Sequence, residues 1–347
     1  MQHREVCCLS AGAAVLACAA AAFAAPRGTN LHFTQAHGHT FSEIGAVGNA
    51  AYQVRRVPGG PVVREIGAVN YRYRIATQEV QGRHWIEFVN AYAPYVGDDF
   101  LIANFTGITT FAGFNNGVPY YTLDEGNENV ATVAGMRYMT RYANWLHHGA
   151  PTGPDVPQSV FESGAYDTST FGNTPGQFTD QEHRSPGARF FLPTVDEWTK
   201  AVYYDPDRNG EGEGGYWLYP NQGDDPLVTG HPDNGGETNA DSHDIPGIPR
   251  EAGSYPNETS PWGLLDASGG QHEIVEDYFF FPGSTSPSGR TDLGSSILST
   301  TTPDHIGERS VAGVSASNGF RIAMAIPSPG ASAAVLLGGI TLARRRR

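Results

Sequence analysis

A chain of 347 residues, 39% apolar and 17% charged, can bury one large core or two small ones, and one is the simpler reading. Its formal charge of −14, from 36 acidic against 22 basic residues, sets the surface against polyanions and excludes nucleic acid as a partner. Glycine and proline, 43 and 24 residues, exceed their usual share, which predicts short elements joined by long ordered turns.

Residues 1–25, within "MQHREVCCLSAGAAVLACAAAAFAAP", pair a basic start with an alanine-rich apolar run and small residues around Ala22, Ala24 and Ala25. This is the pattern of a secretory signal peptide and implies an exported protein of the cell envelope, cell surface or extracellular space. Cys7, Cys8 and Cys18 all lie inside it, so cleavage would leave no disulfide and no thiol chemistry. "VLAC" admits a second reading, a lipoprotein signal acylated at Cys18, although leucine stands where a small residue is usual.

Next come "FTQAHGHTFSEIGAVGNAAYQ" and "REIGAVNYRYRIATQEV", which alternate apolar and polar residues between turn glycines and predict strands, with Tyr71, Tyr73 and Ile75 on one face. In "GRHWIEFVNAY" the period changes: Trp85, Phe88, Val89 and Tyr92 form one stripe of an amphipathic helix. A second helix is predicted in "AGMRYMTRYANWLHHG", lined by Tyr138, Tyr142, Trp145 and Leu146 and ended by a left-handed Gly149. His147 and His148 fall in its last turn, where positive charge favours the exposed carbonyls; side chains about 100° apart do not share one metal easily. A third helix follows in "RFFLPTVDEWTKAVYYDP": Thr194 and Glu197 make a capping box, Val195, Trp198, Ala201 and Val202 the buried stripe, and Pro206 the stop. That gives Glu197 a structural task rather than a catalytic one.

From Ala150 to Gly187 and from Asp205 to Ser254 the chain predicts long loops. "NQGDDPLVTGHPDNGGETNADSHD" has the oxygen-rich make-up that calcium prefers, and reads equally as a solvated acidic loop, since no EF-hand spacing is present. "DYFFFPG", Asp277 to Gly283, is the best candidate for an exposed aromatic cluster. "NFT" at Asn104 and "NET" at Asn257 match the sequon pattern and are read as accidental. Residues 326–347, "IPSPGASAAVLLGGITLARRRR", end in an apolar run from Ala331 to Leu342, short of the ~20 residues a membrane span needs, and a basic cluster. This tail resembles a PEP-CTERM sorting signal, with Ser328 where that signal has glutamate, and the resemblance implies processing by an exosortase; a plain membrane anchor is the other reading.

Six blocks in order, "YRIATQEVQGRHWIEFVNA", "RYANWLHHG", "RFFLPTVDEWTKAVYYDP", "GGYWLYP", "GSYPNETSPWGLLDASGGQHEIVED" and "NGFRIA", resemble the formylglycine-generating enzyme family, the sulfatase-modifying factor domain, over residues 41–325. The resemblance implies a single α+β domain related to C-type lectins, with long ordered loops and little regular secondary structure. Trp262, Gly263, Leu264, Asp266, Gly269, Glu273, Glu276 and Asp277 match the family's "YGLYDMSGNVWEWVED" block, while Gly270 replaces its asparagine. The family holds calcium near this block; Asn239, Asp241 and Glu273 are the matching candidates, enough for one ion.

Active members use two cysteines to bind monovalent copper, for which soft thiolates are suited. Here Ser295, Ser296 and Ile297 fall on the end of the family's "GGSW" motif, and Ser299 and Asp304 fall near the cysteine positions, so no copper is expected. Another branch of the fold uses a histidine-held iron; "HGHT", His37 to Thr40, is the only close histidine pair outside the helix end and lacks a third ligand. The resulting expectation is a non-catalytic binding protein for a glycan or another envelope protein, in a groove shaped by the loops after Asp205 and around Leu293. The alternatives are an enzyme using Asp304, His305, Glu308 and Arg309 of "PDHIGER", and an extracellular matrix component.

Overall fold

Along the chain, β1 (Phe33–Ala36) and β2 (His39–Ile44) form a hairpin turned by His37 and Gly38, both at positive φ. A second hairpin, β3 (Tyr52–Arg55) with β4 (Val62–Ile66), leads to β5 (Tyr73–Ala76) and helix α1 (Gly82–Tyr92). The hairpin of β6 (Thr109–Asn115) and β7 (Val118–Leu123) turns at Asn116–Gly117, with φ of 52° and 82°, the geometry that Asn-Gly favours. Then come β8 (Ala134–Gly135), α2 (Met136–His147), the short α3 (Ser159–Glu162), β9 (Phe190–Phe191) and α4 (Val195–Tyr203). The pair β10 (Tyr204–Asp205) and β11 (Gly215–Tyr216) is followed by β12 (Glu273–Phe279), β13 (Gly289–Leu293), β14 (Ser310–Ala312), β15 (Ser317–Asn318) and β16 (Ala323–Ala325). The computed structural model describes residues 31–96, 109–172, 178–243, 245–313 and 317–326. The leader over 1–25, the tail from 327 and Asn104 lie outside them, and no helix among the described residues is long and apolar enough to cross a membrane.

The architecture is α+β. A five-stranded antiparallel sheet runs in the order β1-β2-β5-β16-β9, so a strand from the C-terminal end of the domain lies between strands from its start and middle. A second sheet, β12-β13-β14, stands apart. One continuous core joins Phe41 and Ile75 of the larger sheet to Trp85 and Phe88 of α1, Trp145 of α2 and Trp198 of α4.

All three predicted helices form, with the predicted apolar stripes buried apart from a half-buried Tyr138. At the end of α2, Gly149 takes φ 92°, its amide reaches Leu146 O and the next amide reaches Trp145 O, a Schellman closure. The task predicted for His147 falls to another residue. Its Nδ1 accepts the Arg189 amide at 3.1 Å, so the ring is neutral, and burial followed by His148 and Arg189 pushes its pKa down. The Arg189 guanidinium donates to the His147 carbonyl and supplies the positive charge there. Helix α4 has the expected capping box, with Thr194 Oγ1 accepting the Glu197 amide at 3.1 Å and Glu197 Oε2 accepting the Thr194 amide at 2.8 Å. Glu197 also pairs with Arg184 at 2.7 Å, and Arg184 reaches buried Glu276 at 3.0 Å while lying over the Phe191 ring. Tyr71 precedes β5 and is exposed, but it stays on the side of Tyr73: the two rings lie 6.1 Å apart and both hydroxyls donate to Glu197, Tyr71 to its carboxylate at 2.8 Å and Tyr73 to its carbonyl.

Candidate functional site

The stretch from Ser260 to Asp277 is a tightly braced turn before it is anything else. Ser260 Oγ accepts the amides of Trp262 and Leu264, Trp262 donates its indole to Tyr204 O at 2.7 Å, and the Asp266 carboxylate accepts the Gly253 amide at 2.8 Å. Burial lifts Asp266 to about 6, against that hydrogen bond. Two glycines make the next step. A Cβ on Gly269 would lie 2.2 Å from Asn239 Oδ1, and one on Gly270 would lie 2.4 Å from Glu79 Oε2, with φ of 78° and 55°. The space that a side chain at 270 would take is filled by Glu79.

This turn floors a cleft of about 390 Å3. Gly270 and Gln271 form the floor, Asn127, Val130, Ala131 and Val133 one wall, and Asn239, Arg250, Ile297 and Leu298 the other. The loops after Asp205 and Leu293 therefore contribute as expected, whereas the wall from Asn127 to Val133 carried no sequence signal that was read. It is held by backbone pairing of Ala131 with Gln81 and of Val130 with Glu251. Leu298 is 69% exposed, leaving an apolar side chain free at the cleft mouth.

Beneath the floor lies a dense group of buried acids. Glu273 is gripped by Arg321, whose Nε and Nη2 donate to its two oxygens at 2.6 and 2.5 Å, and Trp198 donates to Oε2 at 2.9 Å. Arg321 is itself fully buried and reaches the carbonyls of Ala76 and Leu265 at 3.2 Å. Glu79 is buried with neither oxygen completing a hydrogen bond; burial and then Glu273 hold its pKa well above the usual carboxylate range, against the pull of Arg321.

The candidate calcium ligands have other engagements. Asn239 Oδ1 accepts the Gly270 amide at 2.7 Å and its amide group donates to Pro249 O at 3.1 Å. Asp241 is exposed, at φ 55°. Glu273 is taken by Arg321 and Trp198, and a cation bound there would have to displace the guanidinium. Among the described residues no group of three or more His, Cys, Asp or Glu could hold a metal ion.

Ser299 and Asp304, near the family's cysteine positions, serve different parts of the fold. Ser299 Oγ closes a local turn by accepting the Ser296 amide at 2.7 Å. Asp304 is fully buried, accepts Ser268 Oγ at 2.7 Å, and is raised to about 7 by burial against the hydrogen bonds of Ser268 and Ser295. Ser295 Oγ in turn accepts the Gly269 amide at 2.8 Å. The rest of "PDHIGER" does not gather on Asp304: His305 Nδ1 accepts the Gly307 amide, and Arg309 lies over the Phe279 ring. In "DYFFFPG", Phe280 and Phe281 are exposed, as the sequence suggested.

No protein-family model matches the sequence, and no curated protein matches it. Among solved structures, Treponema denticola variable protein 1 is similar in fold, with a TM-score of 0.50 and 16% identity over 86% of this chain and 99% of that one. CarF aligns at a TM-score of 0.44 and 15% identity over 82% and 98%, and PvdO from Pseudomonas aeruginosa at 0.45 and 14% over 83% and 95%. At these identities the likeness is one of chain path, and the first of them carries it across nearly the whole domain.

Proposed function

We propose that this chain is an exported, non-catalytic relative of the formylglycine-generating enzymes whose lectin-type scaffold binds a surface glycan in the cleft above Gly270. The composition of that cleft supports the reading. Its lining residues offer amides, aliphatic faces and one guanidinium, and none of them is a thiol, imidazole or carboxylate able to move a proton near neutral pH. Asn127 and Gln271 suit sugar hydroxyls, Val130 and Leu298 suit the C–H faces of a ring, and Arg250 suits an acidic sugar on a protein whose charge is otherwise −14. The order of the sequence blocks supports the family, and serine and aspartate at 299 and 304 support loss of its copper chemistry. The signal and tail patterns support export and display, where many copies raise a weak affinity.

The test is binding of the purified protein to an array of neutral and acidic glycans, with Leu298→Glu and Arg250→Glu beside the wild type. Either substitution at an exposed cleft position is expected to weaken binding about tenfold or more, with an unchanged melting temperature, since about 1.4 kcal/mol is a factor of ten. Chelation of divalent cations is expected to leave binding unchanged. Equal binding by all three proteins, or turnover of a cysteine-bearing peptide by the wild type, would rule the proposal out.

A further inference from the structure

We propose that the turn from His37 to His39 and the start of α1 form an acid-released latch, closed by two neutral imidazoles in ring contact. The rings of His39 on β2 and His84 on α1 are buried with centroids 3.9 Å apart and planes tilted by 34°. His84 Nδ1 faces the backbone N–H of Gln81 at 3.4 Å and accepts from it, satisfying a donor that the helix start leaves open. With Nδ1 accepting, the ring proton sits on Nε2 and donates to the Gly38 carbonyl at 3.2 Å, and the Arg83 Nε–H 3.3 Å from Nε2 then faces another donor. His39 Nε2 meets the buried hydroxyl of Tyr142 on α2 at 2.7 Å. The turn lies flat on the ring: a Cβ on Gly38 would be 3.1 Å from His84 Cδ2.

The charged neighbours make a second proton on either ring unwelcome. Arg83 sits beside His84, with Nε 3.3 Å from its Nε2; His37 shares the turn and has Arg189 near it. Glu87, on α1, is the acid that bears on Tyr142. Burial first, then Arg83, push His84 down to about 4, against the Gly38 carbonyl. Burial, then His84, Arg83 and His37, hold His39 well below the usual imidazole range. Both folded values are depressed, so the latch stabilises fully above the ordinary imidazole value of about 6.5 and loses that contribution as pH falls towards 4. For His84 alone, the folding equilibrium constant falls by about 20-fold between pH 7 and pH 5. Protonation of Nδ1 also removes the acceptor for Gln81, whose backbone pairs with Ala131 in the cleft wall.

His84→Gln tests the latch, because glutamine at the third helical position keeps an acceptor for the Gln81 amide and cannot titrate. Between pH 7 and pH 5 the wild-type folding constant is expected to fall about 20-fold further than that of the variant. In the wild type, ring-proton resonances of His39 and His84 are expected to stay at their neutral positions down to pH 5. Ring titration in the ordinary range, or a variant that follows the wild-type pH profile, overturns the proposal. Should His84→Gln not fold, the wild-type ring titration decides alone.

Discussion

Replacement of Arg321 by methionine is expected to lower the free energy of unfolding by about 3–5 kcal/mol, the range for breaking a buried ion pair from one side. The guanidinium is fully buried and donates to both oxygens of Glu273, while its remaining donors hold the carbonyls of Ala76 and Leu265. It therefore ties the end of β5, the turn before Asp266 and the start of β12 into one unit beneath the cleft floor. Methionine fills much of the volume but leaves the Glu273 carboxylate with Trp198 as its partner, next to Glu79 and Asp266. Arg321→Lys is expected to recover less than half of the loss, since an ammonium is a point charge and cannot fork across two carboxylate oxygens and two carbonyl directions. Adding Glu273→Gln to Arg321→Met should recover more than Lys does, because the uncompensated charge is what makes the single change expensive. Chemical denaturation at pH 7 of the wild type, these three variants and Glu273→Gln alone measures this, and additive losses in the double variant would show that the pair is not coupled.

Why Arg321 was missed in the sequence while the helices were not is a matter of range. A helix of three turns writes its own apolar stripe: Trp85, Phe88, Val89 and Tyr92 lie within eleven residues, and all four are buried. The Thr194–Glu197 box is shorter still and closes within its own turn. The glycines of the 266–273 block were legible because the conformation they permit is local. By contrast β9 and β16 have two and three residues, too few to show a period, and they meet each other from far apart in the chain. The Glu273–Arg321 pair spans 48 residues, and the contact of His84 with the "HGHT" turn spans 46. A third imidazole was present in "GRHW", but its meeting with His39 depends on how α1 packs against β2. The Asn-Gly signal at residues 116–117 was local and legible, and the β6–β7 hairpin it marks went unread. The cleft shows both situations: its floor follows from two glycines, whereas its wall at Val130 and Ala131 rests on isolated bridges that no local pattern announces.

Asp304→Asn is expected to make the protein more stable than the wild type at pH 8, with the advantage shrinking as pH falls. Burial holds the Asp304 carboxyl at about 7 in the folded state, although Ser268 and Ser295 pull it down. A carboxyl whose folded value is raised stabilises fully below its unfolded value, near 3.9, and loses that contribution as pH rises through about 7. The wild type should therefore lose about 2–3 kcal/mol between pH 5 and pH 8 from this group, and asparagine, which resembles the neutral acid, should lose none of it. The imidazole latch acts in the opposite direction on acidification, so the wild-type profile alone would mix the two effects. The difference between variant and wild type at each pH isolates Asp304, because His39 and His84 are common to both. Asparagine can still accept the Ser268 hydroxyl. If denaturation at pH 5, 6.5 and 8 gave a constant difference, Asp304 would have to be ionised throughout, and the buried carboxyl would then need a cation beside it that its described neighbours do not supply.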